Sequence, residues 1–261
     1  MDDNYPEGSE GEAMILIKSK EDIDIMRRNG KLLDEIHEII GTEIYPGVKA
    51  IDLDKIVEKW IKSEGATPSF KGYRGFPASI CVSMGCELIH GPPAGQILHE
   101  GQIVSIDIGL YKDGFHVDAA RTWPVGKIHY GMEHLIQSVR GILRGTCELI
   151  RPGVHLSDLS SGIQLSAESR GLEVVRGYGG HGIGRNLHED PHIPNYGFKG
   201  TGPILKEGMV LALEPMIMMG NPEVEVLYDG WTVISKDRKP NAHAEDTVVV
   251  TKDGCETLTR M

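Results

Sequence analysis

A chain of 261 residues, 25% charged and 40% hydrophobic, has an ordinary globular composition and suits one large domain or two fused halves. Its net charge of −11, without any dense Lys/Arg cluster, argues against direct nucleic-acid binding, and its apolar runs fall short of the ~18 residues of a membrane span. The N-terminus lacks a basic region followed by an apolar run, and Cys81, Cys86, Cys147 and Cys255 form no CxxC pair. The expectation is therefore a cytoplasmic protein with reduced thiols. The 33 glycines exceed the usual ~7%, are not periodic, and predict backbone positions with positive φ or close approach.

Residues 1–13 carry five carboxylates and no Lys or Arg, and are expected to be a disordered acidic tail before a single catalytic domain over 14–261. Ser19 offers an N-cap, with Asp22 three residues on, for a helix placing Ile23, Met26, Leu33, Ile36 and Ile40 on one face. It ends by Pro46-Gly47, and a second helix is predicted from about Leu53 to Ser63, stopped at Gly65. An internal repeat then organises the chain. Ile44, Pro46-Gly47-Val48, Asp52-Leu53 and Gly65 recur 106 residues later as Ile150, Pro152-Gly153-Val154, Asp158-Leu159 and Gly171. Seven positions in register exceed what a common helix-stop dipeptide explains. They predict two related halves, about 14–125 and 126–261, with a site between them. Strands are predicted over 79–83, 103–110, 115–123, 209–214 and 245–251, making an α+β fold.

The runs around 103–110 and 115–123 form a hairpin that places Asp107 and Asp118 on one face. A loop at Lys112-Asp113 sets the two aspartates directly opposite each other; a loop at Asp113-Gly114 makes them diagonal neighbours. Facing carboxylates repel unless protonated or metal-bound, and Gly109 and Ala120 beside them leave room for something held there. The bland alternative is a solvated face. Glu214 ends an apolar run before Pro215, and Glu245 opens another; with the aspartates they make four hard oxygen ligands suited to two divalent cations. The glycine loop around His181 and His188 supplies nitrogen ligands, and His90 before Gly91 is a further candidate. GxGxxG and GK[ST] phosphate motifs are absent, and most of the other eight histidines are expected at the surface.

These residues resemble the type I methionine aminopeptidases from about Met14 to the C-terminus. The motifs that carry the resemblance are Cys81-Val-Ser with His90-Gly91, Ser105-Ile-Asp107, Asp113-Gly-Phe-His-Val-Asp118, His181-Gly-Ile-Gly-Arg185 with His188-Glu-Asp-Pro191, Leu213-Glu214-Pro215-Met216, and Trp231-Thr232 followed by Glu245. The resemblance implies the pita-bread fold of the M24 peptidases, with pseudo-twofold halves around a dinuclear metal site. Asp107 would chelate one ion, Asp118 and Glu245 would bridge both, and His181 and Glu214 would complete the second; the ions would be Co, Mn, Fe or Zn. A bridging hydroxide would attack the scissile carbonyl, Glu214 would relay the proton, His188 would stabilise the carbonyl oxygen and His90 would contact the scissile amide. Phe70, Tyr73, Phe76, Cys81, Leu187 and Trp231 would form the methionine pocket.

The implied substrates are nascent N-termini whose second residue is small, near the ribosome exit, and the implied state is a monomer. Three departures stand out: Leu187 replaces a usual aromatic, Asp246 replaces a common His, and Gly85-Cys86 replaces the usual Asn-Asp/Glu at a monovalent-cation position. The alternatives are a prolidase or aminopeptidase P, which usually carries an additional N-terminal domain for which this chain has no room, and an inactive pita-bread binding protein, which would have lost ligands.

Overall fold

The computed structural model describes residues 14–260, so the expected acidic tail over 1–13 lies outside the described residues. Helix α1 (Lys20–Thr42) starts at a reciprocal capping box: the Asp22 N–H donates to the Ser19 hydroxyl, and the Ser19 N–H donates to the Asp22 carboxylate. Its Met26, Leu33, Ile36 and Ile40 are fully buried. Helix α2 (Ala50–Ser63) begins three residues before the predicted start at Leu53. The reason is not local. The Lys49 side chain makes no cap, and the Ala50 and Ile51 N–H groups donate instead to the carbonyls of Gln96 and Ala94.

The same turn is built twice. Gly47 (φ +102) and Gly153 (φ +92) join α1 to α2 and α3 (Tyr130–Leu149) to α4 (Leu156–Glu168). Each closes on a downstream extended segment: the Gly47 N–H donates to Leu98 and the Gly153 N–H to Leu205. Both second helices end at a left-handed glycine, Gly65 (φ +66) and Gly171 (φ +70), where a side chain would strain the backbone. Helices α1 and α2 pack on one apolar core and α3 and α4 on another.

Two antiparallel ladders carry the acids. In the first, Ile103–Lys112 pairs with Phe115–Pro124 around a two-residue Asp113-Gly114 loop, Lys112 facing Phe115. Both loop residues have positive φ, 51° and 88°, as a primed hairpin turn requires. Gly114 takes that conformation readily and Lys112 would resist it, so the loop falls at Asp113-Gly114 rather than Lys112-Asp113. Asp107 consequently faces Ala120, Asp118 faces Gly109, and the two aspartates are diagonal neighbours on one face. The opposite face, Val104, Ile106, Ile108, Leu110, Phe115, Val117 and Ala119, is buried among residues of the α1–α2 core.

In the second ladder, Val210–Leu213 pairs with Asp246–Val250 and Met216–Met218 with Asn241–His243. Leu213 faces Asp246 and Met216 faces His243, so one register runs through the break and sets Glu214 opposite Glu245. The two glutamates stand just outside the strands predicted to contain them. Pro215, with no N–H to give a ladder, is where the pairing interrupts. The ladders meet edge to edge: Ala120 and Glu245 exchange backbone hydrogen bonds of 3.3 and 2.9 Å, and the Thr247 hydroxyl both accepts from the Asp118 N–H and donates to its carbonyl. All four carboxylates are thereby carried by one continuous surface.

Candidate active site

The face bearing Asp107 and Asp118 is not solvated, as the bland reading of the hairpin required. Asp118 is 4% and Glu245 2% exposed, and Asp107 and Glu214 are half-buried. Asp107 and Glu214 occupy matching places in the two ladders, 107 residues apart, the same displacement that relates Leu98 to Leu205. Burial pushes the carboxyls of Asp107 and Glu214 up to about 7, and holds Asp118 and Glu245 well above the usual carboxylate range. The neighbouring acids add to the shift, Glu214 acting on Asp107, Asp107 on Asp118, and Asp118 on Glu245.

His181 does not sit in a glycine loop. Gly179–Gly182 is a strand between Glu189–Pro194 and Val210–Leu213, and its glycines serve close backbone approach. A Cβ on Gly180 would stand 2.3 Å from the Ala212 carbonyl oxygen, and one on Gly182 only 2.1 Å from that of Asp190. The strand therefore delivers the imidazole into the site with its main chain pressed against both neighbours. His181 Nδ1 lies 2.8 Å from the Gly182 carbonyl oxygen, which only accepts, so Nδ1 carries the proton. Nε2 is left with a lone pair, 3.8 Å from Glu214 Oε1. Burial lowers the His181 pKa and keeps the ring neutral, the state a ligand needs.

This donor set fits divalent cations. Asp118, His181 and Glu245 bring ligand atoms within 4.8 Å of one another; Glu214 and Glu245 likewise approach His243, which does not line the cavity. Asp107 Oδ1, Asp118 Oδ1 and Glu245 Oε1 are buried oxygens that accept no hydrogen bond. Buried carboxylate oxygens without donors are costly unless something positive meets them.

One cavity of ≈ 370 Å³ opens beside the acids, and all thirteen residues singled out in the sequence line it. Asp107, Asp118, His181, Glu214 and Glu245 form one end. Phe76 packs edge-on against Trp231, with centroids 5.2 Å apart, and Leu187, Phe70 and Cys81 continue that apolar wall. Burial drives the Cys81 thiol far up, so it acts as an apolar surface and not as a nucleophile. The space expected beside Gly109 belongs to this wall rather than to a ligand: a Cβ there would meet Phe70 and Ser69, each at 2.7 Å. Ala120, in turn, gives its backbone to Glu245.

His188 is exposed at the mouth, stacked on Tyr73, with Nδ1 2.9 Å from the tyrosine hydroxyl and its ring 4.2 Å from that of His181. His90 holds a left-handed backbone (φ 60°), rare for a residue with a Cβ and often kept for function. Its ring meets Tyr178 edge-on at 6.1 Å. Tyr178 and His192 also line the cavity and were not anticipated, because no metal or catalytic spacing marks them.

His243 was missed too, and His37 and His243 are buried rather than at the surface. The alternation His243-Ala-Glu245 was the available signal, since alternate residues of a strand share a face. Asp246 points away from the acids, fully buried, where it accepts from Arg121 at 2.7 Å and pairs with Arg260. At the substituted Gly85-Cys86 turn both carbonyls are taken, Gly85 by the Asn241 N–H and Cys86 by the Ser235 N–H and Asn241 Nδ2. That turn gives no support to a monovalent-cation site.

The chain belongs to metallopeptidase family M24, whose profile matches residues 24–252. Within it the chain groups with the methionine aminopeptidases. Those of Clostridium perfringens and Bacillus subtilis are 47% and 45% identical to it, with 94% and 95% of this chain and 99% and 100% of theirs aligned. The crystal structure of methionine aminopeptidase from Thermotoga maritima superposes with a TM-score of 0.94 at 41% identity, covering 95% of this chain and 100% of that one. The fold is thus the α+β pita-bread fold. A prolidase from Pyrococcus furiosus is less similar, with a TM-score of 0.75, 26% identity and only 65% of its chain covered.

Proposed function

We propose that this protein removes N-terminal methionine from polypeptides whose second residue is small, using two divalent cations held by Asp107, Asp118, His181, Glu214 and Glu245. The observation that carries the reading is the set of buried, undonated carboxylate oxygens facing a neutral imidazole at the end of an apolar cavity. Four carboxylates and one nitrogen suit Mn, Fe, Co or Zn, and Asp118 and Glu245 would be shared by two such ions. Divalent cations bound there supply Lewis acidity, polarising a carbonyl oxygen and acidifying a water.

The chain's own residues do the rest. With the phenol of Tyr73, 2.9 Å from His188 Nδ1, as the donor, Nε2–H would be left as a donor for the oxygen of the scissile carbonyl as it gains charge. His90 and Glu214 line the cavity, where His90 would meet the scissile amide and Glu214 would pass a proton to the leaving amine. Phe70, Tyr73, Phe76, Cys81, Leu187 and Trp231 receive the unbranched thioether, for which aromatic edges and a neutral thiol are suitable neighbours. Leu187 in place of an aromatic changes one apolar contact, which discriminates between substrates by about 1–3 kcal/mol. No helix among the described residues is long and apolar enough to cross a membrane. We place the enzyme in the cytoplasm, acting as a monomer on nascent chains near the ribosome exit.

The test is a peptide panel. Metal-replete protein should release methionine from Met-Ala-X and Met-Gly-X peptides and leave Met-Leu-X peptides intact, read by chromatography of free methionine. Cleavage of X-Pro dipeptides in place of Met-Ala-X would assign it to the prolidases, and no cleavage of either would make it a binding protein.

A further inference from the structure

We infer that His243 is a positioning residue of the metal centre: its Nε2–H donates to Glu214 Oε2 from behind, so that Oε1 is the oxygen presented on the His181 side. The inference rests on the metal-centre reading above. The two oxygens of Glu214 face different imidazoles, Oε1 lying 3.8 Å from His181 Nε2 and Oε2 3.4 Å from His243 Nε2. The two rings stand differently. His181 lines the cavity, whereas His243 lies behind the acids, its side chain 3% exposed.

Nε2 of His243 is shielded from water and completes no hydrogen bond. Leaving such a nitrogen unpaired is costly. The carboxylates that reach it are Glu214 Oε2 at 3.4 Å and Glu245 Oε2 at 3.9 Å, and an ionised carboxylate only accepts. With both carboxylates ionised, as cation binding requires, the ring pairs with them only by donating through Nε2, and a shift of Glu214 to the usual ~2.9 Å completes the bond. This is the complement of His181, whose Nδ1–H is given to the Gly182 carbonyl and whose Nε2 keeps its lone pair.

The His243 main chain is built to hold that ring still. Its N–H donates to Ser105 Oγ at 3.3 Å and Thr122 Oγ1 at 3.1 Å, and its carbonyl accepts from Thr122 Oγ1 at 2.7 Å. Ser105 and Thr122 are cross-strand partners in the first ladder, joined through their hydroxyls at 2.8 Å. His243 is thus pinned to the strands that carry Asp107 and Asp118 while its side chain reaches Glu214 on the second ladder. Outer partners of this kind fix which oxygen of a ligand faces the ion.

His243→Leu removes the donor at similar size, and His243→Gln restores an N–H donor. Calorimetric titration of metal-stripped protein with Mn²⁺ and Co²⁺ should show affinity falling about 10–100-fold in His243→Leu and recovering most of the way in His243→Gln. Long-range ¹H–¹⁵N spectra of the wild type should show the His243 proton on Nε2, a readout that needs no variant to fold. Wild-type affinity in His243→Leu, equal losses in both variants, or an unprotonated Nε2 would each overturn the positioning role while leaving the metal centre standing. A wild-type protein that binds neither cation would overturn the metal-centre reading, and this inference with it.

Discussion

Asp118→Asn should lower kcat on a Met-Ala-X peptide by at least ~100-fold, and should leave the metal-free protein more stable than metal-free wild type. The first half follows from the place of Asp118. It is 4% exposed, its Oδ1 accepts no hydrogen bond, and it stands with His181 and Glu245 in one cluster of ligand atoms. Losing an outer partner of a ligand already lowers metal affinity or activity about 10–100-fold, and losing a shared ligand exceeds that. The second half follows from electrostatics. Burial raises the Asp118 carboxyl well above its usual range, and Asp107 and Glu214 raise it further. Asparagine has the same shape without the charge, and the backbone bonds of Asp118 to the Thr247 hydroxyl are untouched. Metal content by elemental analysis, steady-state kinetics and thermal melting of the stripped proteins check the three parts. A variant with undiminished kcat would refute the shared-ligand role.

The clustered acids should also make the metal-free protein lose stability as pH rises through about 7, opposing buried histidines such as His181, whose lowered pKa adds stability up to the unfolded value near 6.5. Carboxyl groups raised to about 7 in the folded state, as in Asp107 and Glu214, titrate near 4 in the unfolded chain. Folding then binds protons, so the stability these groups contribute is full below the unfolded value and is lost as pH rises through about 7. Calorimetry of stripped protein at pH 7 and pH 8.5, where the histidines are largely neutral both folded and unfolded, should show a lower Tm at the higher pH, by about 2–4 °C for each kcal/mol. A divalent cation, which needs the ionised carboxylates, should raise Tm more at pH 8 than at pH 5.5. Asp118→Asn, with one acid fewer, should flatten the dependence of the stripped protein. A stripped protein whose Tm instead climbs steadily from pH 7 to 8.5 would mean that the acids are not packed as a repelling cluster.

What could be read in the sequence was local or repeated. The capping box at Ser19 and Asp22, the helix face from Met26 to Ile40 and the Pro-Gly turns at 46–47 and 152–153 each have short-range causes. The first hairpin was legible as a face but not as a register, because two loop positions fit the alternation. Positive φ at both Asp113 and Gly114 chose between them.

What could not be read depended on contacts between distant segments. The start of α2 rests on carbonyls at 94 and 96, and the glycines around His181 are explained by carbonyls at 190 and 212. Gly109 makes space for Phe70, not for a ligand. The pairing of Glu214 with Glu245 needs a register across an intervening segment that itself folds back, and only that register brings His243 to the second oxygen of Glu214. The net charge of −11 reads differently with these facts. Four of those formal charges are gathered at one site, two of them buried and two half-buried, and five more belong to residues 1–13.

The most direct measurement is hydrolysis of Met-Ala-X by protein stripped with a chelator and then titrated with Mn²⁺, Co²⁺, Fe²⁺ or Zn²⁺ in separate experiments. The account predicts no methionine release from stripped protein and recovery with at least one cation, complete by two equivalents. Full release from protein shown by elemental analysis to be metal-free, or none at any loading with any of the four ions, would contradict it.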